Sequence, residues 1–211
     1  GKPDVAKLGK STSNVRVHQN TSTLSIINAS SFDSGIDFSL KNVSQWSIAA
    51  KDMNSDGLID IITHGQDFVS ILINNSTQGG AISFETFVEV PVNQYKYNLE
   101  VADFDGDGLN DFVIQSNYTQ PVNSSTWRSV VYLNTSTSVG LSFTTGLEIL
   151  TNGGSRELAS GDINGDGLTD LISSNSGKIH INTSTLGSIS FSSFNFSIGS
   201  DITSIFDIDN D

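Results

Sequence analysis

Acidic residues recur in this sequence at one fixed spacing. The nine-residue pattern D-x-[DN]-x-D-G-x-x-D occurs three times, as loop A (residues 52–60), loop B (103–111) and loop C (162–170). Carboxylate or amide side chains at positions 1, 3, 5 and 9 alternate with small residues, so several negative charges would lie close together. Their repulsion is costly unless a cation lies between them. The pattern therefore predicts one bound cation in each loop.

Calcium fits this set of ligands best, because every donor is an oxygen and Ca²⁺ accepts irregular geometry with six to eight ligands. Glycine at position 6 permits a sharp turn. Position 7 would supply a backbone carbonyl while its leucine side chain enters the core. Mg²⁺ fits less well, since it prefers to keep bound water. The predicted ligands are Asp52, Asn54, Asp56, Leu58 and Asp60 in loop A, Asp103, Asp105, Asp107, Leu109 and Asp111 in loop B, and Asp162, Asn164, Asp166, Leu168 and Asp170 in loop C.

A fourth copy of the pattern is divided between the two ends of the chain. The last five residues, 207–211, match positions 1 to 5, and Gly1–Asp4 matches positions 6 to 9. We call this pair of segments the split loop. Its predicted ligands are Asp207, Asp209, Asp211 and Asp4, which raises the expected number of Ca²⁺ ions from three to four.

The residues on either side of the pattern exclude an EF-hand. An EF-hand loop needs a bidentate acid at position 12 and a helix on each side. Position 12 is occupied here by Thr63, Ile114 and Ser173, and the flanking residues read as strands.

The charge of the chain is concentrated in these loops. The formal net charge is −13, and 14 of the 23 acidic residues belong to the four copies of the pattern. The acidity is therefore a property of the loops, and a generally acidic, halophile-type surface is not indicated.

A second phrase recurs out of phase with the acidic pattern. It begins at Asn20, Asn74, Asn134 and Asn182, reads Asn-[Thr/Asn]-Ser-Thr, and is followed by a Ser-Phe pair. We call it the Asn phrase. Four repeats of about 53 residues result. We place their boundaries at residues 1–56, 57–107, 108–166 and 167–211.

Short apolar or alternating segments surround both phrases, and none shows a sustained helical period. One segment follows each acidic loop, a second ends at the Asn phrase, the Ser-Phe pair opens a third, and a fourth leads into the next loop. The predicted fold class is therefore all-β, with four tandem repeats that form β-propeller-type blades of four antiparallel strands, and with calcium loops between strands.

Several functional classes are disfavoured by composition. No stretch is long and apolar enough for a membrane helix, and the 10 Lys and Arg residues do not cluster, which disfavours nucleic acid. No nucleophile elbow or phosphate loop is present, and the three histidines have no partner at ligand spacing. We therefore expect no enzymatic activity.

The chain has no cysteine, so bound metal would take the place of disulfides in stabilising the loops. It opens with Gly1 and shows no signal peptide, as a mature product or a fragment would.

Ten N-x-[ST] sequons offer glycosylation sites in a suitable host. Turn-forming asparagine beside Ser or Thr is the alternative explanation. The asparagines are Asn20, Asn28, Asn42, Asn74, Asn75, Asn117, Asn123, Asn134, Asn182 and Asn195.

The acidic loop between strands, repeated every 50 to 60 residues over essentially the whole chain, resembles the FG-GAP/VCBS repeats of integrin-α-type β-propellers. The Asn-Thr-Ser-Thr phrase with the following Gly and Ser-Phe is similar to repeats in secreted proteins of the Bacteroidetes group. This resemblance implies calcium in the loops, an extracellular or cell-surface location and four-stranded blades. It does not imply a single activity.

Four repeats are fewer than the roughly seven blades at which such propellers usually close. The chain is a segment of a longer array, a four-bladed ring, or a subunit that assembles with its neighbours. Neighbouring copies or further repeats of the same chain are thus the expected partners, and either ring closure or a head-to-tail contact would complete the split loop.

Three functions remain open at this point. The first is a non-catalytic structural segment of a cell-surface or fibre-forming protein. The second is an adhesive module that recognises a glycan or protein, for which Tyr95, Tyr97, Tyr118, Trp46 and Trp127 are candidate stacking residues. The third is an accessory domain of a secreted enzyme.

Overall fold

The computed structural model describes most of the chain. The described residues are 2–9, 12–23, 26–28, 30–41, 45–65, 67–85, 87–92, 98–119, 125–150, 158–173, 177–196 and 204–205. All regular structure in them is β-strand. Within these ranges there is no helix with the length and apolar character needed to cross a membrane.

Fifteen strands in the described residues form four antiparallel sheets. Sheet I contains β1 (Val5–Leu8), β2 (Asn14–His18) and β3 (Ile36–Ser39); sheet II contains β4 (Gln45–Lys51), β5 (Asp60–Gly65), β6 (Phe68–Leu72) and β7 (Val88–Pro91). Sheet III contains β8 (Leu99–Ala102), β9 (Asp111–Thr119), β10 (Ser125–Asn134) and β11 (Phe143–Leu150); sheet IV contains β12 (Leu158–Gly161), β13 (Asp170–Ser173), β14 (Lys178–Asn182) and β15 (Phe191–Asn195).

Each sheet is a meander in which strands adjacent in sequence are paired. In sheets II, III and IV the acidic loop joins the first strand to the second. The first strands of these sheets contact one another in order, β4 with β8 and β8 with β12, while β1 of sheet I contacts β4. The three whole loops therefore occupy the same place in three consecutive sheets.

The core of the described part of the chain lies between the sheets, in three apolar clusters. One joins sheets I and II around Val15, Ile61 and Leu72. The second joins sheets II and III around Ile62 and Phe112, and the third joins sheets III and IV around Val113 and Leu171. The second strand of a sheet packs on both neighbours, which explains why Asp60–Gly65 is buried throughout and why its sequence reads as a short apolar run rather than an alternating one.

The predicted all-β class is confirmed, and short strands flank the acidic loops and the Asn phrases as expected. The fourth segment of each predicted repeat proves to be the first strand of the next sheet, so the sheets span residues 5–39, 45–91, 99–150 and 158–195. The segment expected to lead into the split loop, residues 202–206, lies outside the described residues except for Ser204 and Ile205.

Candidate metal-binding loops

The backbone of loops A, B and C turns sharply at the same two positions. At position 6 the glycines Gly57, Gly108 and Gly167 have φ values of 85°, 89° and 88°. At position 4 Ser55, Gly106 and Gly165 have φ values of 60°, 76° and 76°. Two left-handed residues separated by one other residue wrap the loop back on itself.

Backbone amides hold the acidic side chains in the same way in all three loops. The position-1 carboxylate accepts the amide of the position-6 glycine: Gly57 N to Asp52 Oδ2 at 2.8 Å, Gly108 N to Asp103 Oδ2 at 2.9 Å, and Gly167 N to Asp162 Oδ2 at 2.8 Å. The position-5 carboxylate accepts the amide of the leucine at position 7, at 2.7 to 2.9 Å. The carboxylates are therefore oriented by the loop before any ligand binds.

Loop B brings its carboxylates closest together. One oxygen from each of Asp103, Asp105 and Asp111 lies within 4.8 Å of the others. Asp105 and Asp111 are almost completely buried, at 4% and 1% exposure. Three carboxylate oxygens that converge on one point are the donor type that hard divalent cations take.

Burial of these acids changes their titration. It raises the pKa of Asp111 to about 7, although the amides of Asn134 and Phe104 partly oppose the shift. Burial likewise raises the pKa of Asp105, with Asp107 adding to the effect, and the pKa of Asp60 in loop A. Each of these carboxylates is therefore costly to ionise without a compensating positive charge.

Loop A contains a buried oxygen that also fits a cation. Asp52 Oδ1 is buried and accepts no hydrogen bond from the described residues, while the other oxygen of the same carboxylate is bonded to Gly57 N. A buried anionic oxygen without a donor is unfavourable by itself. Together with the all-oxygen donor set, it shows that the residues at positions 1, 3, 5 and 9 are suited to hold a hard divalent ion.

The position-9 carboxylate connects the loop to the strands that follow it. Asp111 Oδ2 accepts the amide of Phe104 at 2.9 Å and its Oδ1 accepts the amide of Asn134 at 2.7 Å. Asp60 and Asp170 make the equivalent pairs of bonds with Met53 and Asn74 and with Ile163 and Asn182. Position 9 therefore joins position 2 of its own loop to the Asn phrase.

The Asn phrase has a structural role that the sequence interpretation missed. Asn134 Nδ2 donates to Asn110 O in its own loop and to Met53 O in the preceding loop, at 3.0 and 2.9 Å. Asn182 Nδ2 donates in the same way to Thr169 O and, across sheets, to Phe104 O at 2.8 Å. These asparagines link loop A to sheet III and loop B to sheet IV.

In loops A and B, position 2 rather than position 7 supplies the apolar anchor of the loop. Met53 and Phe104 are fully buried, whereas Leu58 is exposed and Leu109 and Leu168 are only half-buried. The prediction that the position-7 leucine enters the core was therefore wrong. Position 7 follows the left-handed glycine at the loop tip. Position 2 is the second residue after the first strand, and in loops A and B it packs between its own sheet and the next one. The signal was the apolar residue at position 2 in every copy.

The split loop is described only at residues 2–4. Asp4 Oδ1 accepts the amide of Asn20 at 2.7 Å, and Asn20 Nδ2 donates to Pro3 O at 2.9 Å. These bonds repeat those of position 9 and position 8 in the whole loops. Asp207, Asp209 and Asp211 lie outside the described residues.

The sequons differ in their accessibility. Asn134 and Asn182 are each 1% exposed and use their amide nitrogens in two hydrogen bonds, so a glycan there would have to break both. Asn20 and Asn74 are half-buried, and Asn28, Asn75 and Asn195 are exposed. Asn42 and Asn123 lie outside the described residues, as does the side chain of Asn117 in β9.

The remaining candidate residues lie apart from the loops. His180 is buried in β14 between the hydroxyls of Ser173 and Ser193, at 3.0 and 2.6 Å, and burial lowers its pKa to about 4. Trp46 is 41% exposed and its ring lies 5.7 Å from that of His64. Trp127 is half-buried, whereas Tyr95, Tyr97 and the side chain of Tyr118 lie outside the described residues.

Comparison with known protein families finds one match. The family described as FG-GAP-like repeat matches residues 52–114 and again residues 103–173, which together cover more than half of the chain. Each match begins at position 1 of one acidic loop and ends in the strand after the next loop. No curated protein shows significant sequence similarity to the chain.

Proposed function

Because this chain belongs to the family of FG-GAP-like repeats, we propose that it is a non-catalytic, calcium-binding structural module of an extracellular or cell-surface protein. The observation that most supports this proposal is the group of carboxylate oxygens from Asp103, Asp105 and Asp111, which lie within 4.8 Å of one another. A cation between them removes the repulsion and the burial cost that raise the pKa of Asp111 to about 7.

Calcium is the ion that we propose, with one ion in each of loops A, B and C and a fourth in the split loop. The observations that support it are the oxygen-only donors, the left-handed turns at positions 4 and 6, and the unpartnered Asp52 Oδ1. The ion would fix loops that otherwise repel themselves, so metal binding and folding would be coupled. Because the chain has no cysteine and so no disulfides, bound ions would be its main cross-links between loop residues.

The four sheets are taken in this proposal as propeller-type blades. Support comes from the four-stranded meanders and from the contacts of β4 with β8 and of β8 with β12, which give the sheets a common inner edge. FG-GAP repeats occur in extracellular and cell-surface proteins, which supports the proposed location.

Calcium titration tests the proposal. We expect isothermal calorimetry to give three bound ions for the whole loops, or four if the split loop forms. Calcium at about 100 times its dissociation constant stabilises the fold by about 2.7 kcal/mol per site. For a chain of this length, that corresponds to a rise in Tm of about 5 to 10 °C for one site.

Single substitutions assign the ions to the loops. Asp52→Ala, Asp103→Ala and Asp162→Ala should each remove one ion, because each deletes the position-1 carboxylate of one loop. Asp67→Ala is the control, since Asp67 is exposed and lies outside the loops. An unchanged number of ions in all three loop variants, or the same Tm in calcium and in chelator, would contradict the proposal.

We propose further repeats or neighbouring copies of this chain as its partners. Ile163, at position 2 of loop C, is 37% exposed, whereas Met53 and Phe104 at the same position are fully buried by the following sheet. Sheet IV thus presents an apolar position suited to a following sheet, which could come from a further repeat, from a neighbouring copy or from sheet I of the same chain. Light scattering in calcium and then in chelator tests assembly: large particles that dissociate in chelator would support neighbouring copies, and a monomer in both would contradict them.

A further inference from the structure

A cavity of about 510 Å³ lies between sheets I and II. On one side it is lined by Ile61, Ile82 and Phe84 of sheet II together with Asn74, and on the other by residues 2–4 and Ala6 of sheet I. Its position, beside the second half of the split loop, recurs between the other sheets.

At the same place between sheets II and III there is an apolar side chain instead of a cavity. Phe112, Leu141 and Phe143 stand at the repeat positions of Ile61, Ile82 and Phe84, and they belong to the cluster that buries Met53. Between sheets III and IV, Leu171, Ile189 and Phe191 likewise belong to the cluster that buries Phe104, whose ring centroid lies 6.5 Å from that of Phe191. In both cases the occupant is position 2 of the preceding acidic loop.

The hydrogen bonds show the same difference. Asn134 and Asn182 each donate one amide hydrogen within their own repeat and the other to the main-chain oxygen of the buried position-2 residue. Among the described residues, Asn74 Nδ2 donates to Ile59 O alone, at 2.9 Å. One amide hydrogen of Asn74 therefore lacks the acceptor that the equivalent asparagines have.

We propose that this cavity is the socket for Ile208, the position-2 residue of the split loop in the same chain, and that Asn74 donates its second amide hydrogen to Ile208 O. Two observations favour the chain's own segment. Sheet I has three strands in the described residues and lacks the first strand that leads into the loop in sheets II to IV. Ile205, just before the split loop, lies against Gly161 of β12, with Ile205 Cγ2 3.0 Å from the point that a Cβ on Gly161 would occupy. Since each first strand packs on the first strand of the previous sheet, residues 204–205 lie where the missing strand is expected. The inference concerns packing and does not depend on the identity of the cation.

Engineered disulfides test this placement directly, because the chain contains no cysteine. The test pair is Ile82→Cys with Ile208→Cys. The matched positive control is Met53→Cys with Leu141→Cys, which occupies the same repeat positions one sheet later. The negative control is Ile82→Cys with Val139→Cys, since Val139 is 94% exposed in a turn. After mild oxidation, non-reducing electrophoresis and peptide mass analysis report the bond and whether it joins one chain or two.

We expect an intramolecular disulfide in the test pair, with a yield similar to the positive control and several times that of the negative control. A disulfide that joins two chains would overturn the assignment to the same chain in favour of a second copy. No disulfide in the test pair, where the positive control forms one, would overturn the socket itself.

A stability measurement covers the case in which neither pair has suitable disulfide geometry. Ile208→Ala should lower Tm by about 5 °C or more, as Met53→Ala should, because each leaves an apolar socket empty. Val139→Ala should leave Tm unchanged. An Ile208→Ala chain with the Tm of the parent would overturn the proposal.

Discussion

Asn134 donates a hydrogen bond from its side-chain amide to the main-chain oxygen of Met53, across 2.9 Å and from sheet III to sheet II. Asn182 and Phe104 make the same contact between sheets IV and III, at 2.8 Å. In each case the accepting residue lies at position 2 of an acidic loop, next to the position-1 carboxylate. The loop that is suited to hold a cation is thus also the joint between consecutive sheets. A substitution that breaks this joint should therefore weaken cation binding, and loss of the cation should weaken the joint.

The first prediction concerns this joint. Asn134→Asp keeps the shape of the side chain but places a carboxylate oxygen against Met53 O and Asn110 O, to which Asn134 donates. Two acceptors would lose their donor in a buried site, so we expect the free energy of unfolding to fall by about 2 to 4 kcal/mol. Urea denaturation in calcium measures it.

The control for this prediction is Asn75→Asp, which makes the same change of charge at an exposed asparagine of the same phrase in sheet II. It should alter the free energy of unfolding by less than about 0.5 kcal/mol. Equal effects of the two substitutions would show that the added charge, and not the lost joint, is responsible.

The second prediction compares equivalent apolar positions in two loops. Phe104 is fully buried between sheets III and IV, whereas Ile163 at the same loop position is 37% exposed. Phe104→Ala should therefore lower the free energy of unfolding by about 3 to 5 kcal/mol, and Ile163→Ala by well under half of that. Urea denaturation of both variants gives the comparison. A cost for Ile163→Ala as large as that for Phe104→Ala would show that another sheet covers Ile163 in solution.

The sequence predicts the acidic loops and most strands because both rest on spacing. Carboxylates at fixed intervals and short apolar runs such as Ile61–Ile62 are visible without tertiary structure. The role of Met53 and Phe104 is not visible in this way, because one apolar residue between two polar loop residues has no periodic context and could face either way. The prediction that Leu58 enters the core failed because an apolar residue just before a strand is usually a core residue, whereas here it lies at the exposed tip of the loop. The total number of sheets does not follow from the repeats, because identical contacts between neighbouring sheets, such as β4 with β8 and β8 with β12, are compatible with several totals.

The third prediction concerns pH in the absence of calcium. Burial raises the pKa of Asp111 from 3.8 to about 7. The folded chain therefore binds the proton more tightly than the unfolded chain, and the stability that this provides is present below pH 4 and is lost as pH rises to 7. Relative to Asp111→Asn, the parent chain in chelator should lose up to about 4 kcal/mol of unfolding free energy over that window.

Urea denaturation at pH 4.5 and pH 7.5 in chelator measures this difference. The comparison of two chains cancels other titrating groups, including His180, whose pKa of about 4 changes stability in the opposite direction over the same window. In calcium the dependence should reverse, because the ion displaces the proton, and its affinity for loop B should weaken by roughly tenfold per pH unit below 7. An identical pH dependence of parent and Asp111→Asn would contradict the prediction.

The last prediction concerns the turn at position 4 of the loops. Ser55 has a φ of 60°, a left-handed conformation that costs a residue with a Cβ roughly 1 kcal/mol, while loops B and C carry glycine there, at Gly106 and Gly165. Ser55→Gly should therefore raise the free energy of unfolding by about 0.5 kcal/mol, because the relief of strain exceeds the cost of the added flexibility of the unfolded chain only slightly.

Gly106→Ser is the reciprocal variant. A Cβ at position 106 meets only Leu168 Cδ2, at an ordinary 3.9 Å, so its cost of about 1 kcal/mol would come from the backbone alone. Urea denaturation in chelator separates these backbone effects from cation binding. A loss of stability in Ser55→Gly would mean that the Ser55 side chain, and not its backbone angle, decides the energy of loop A.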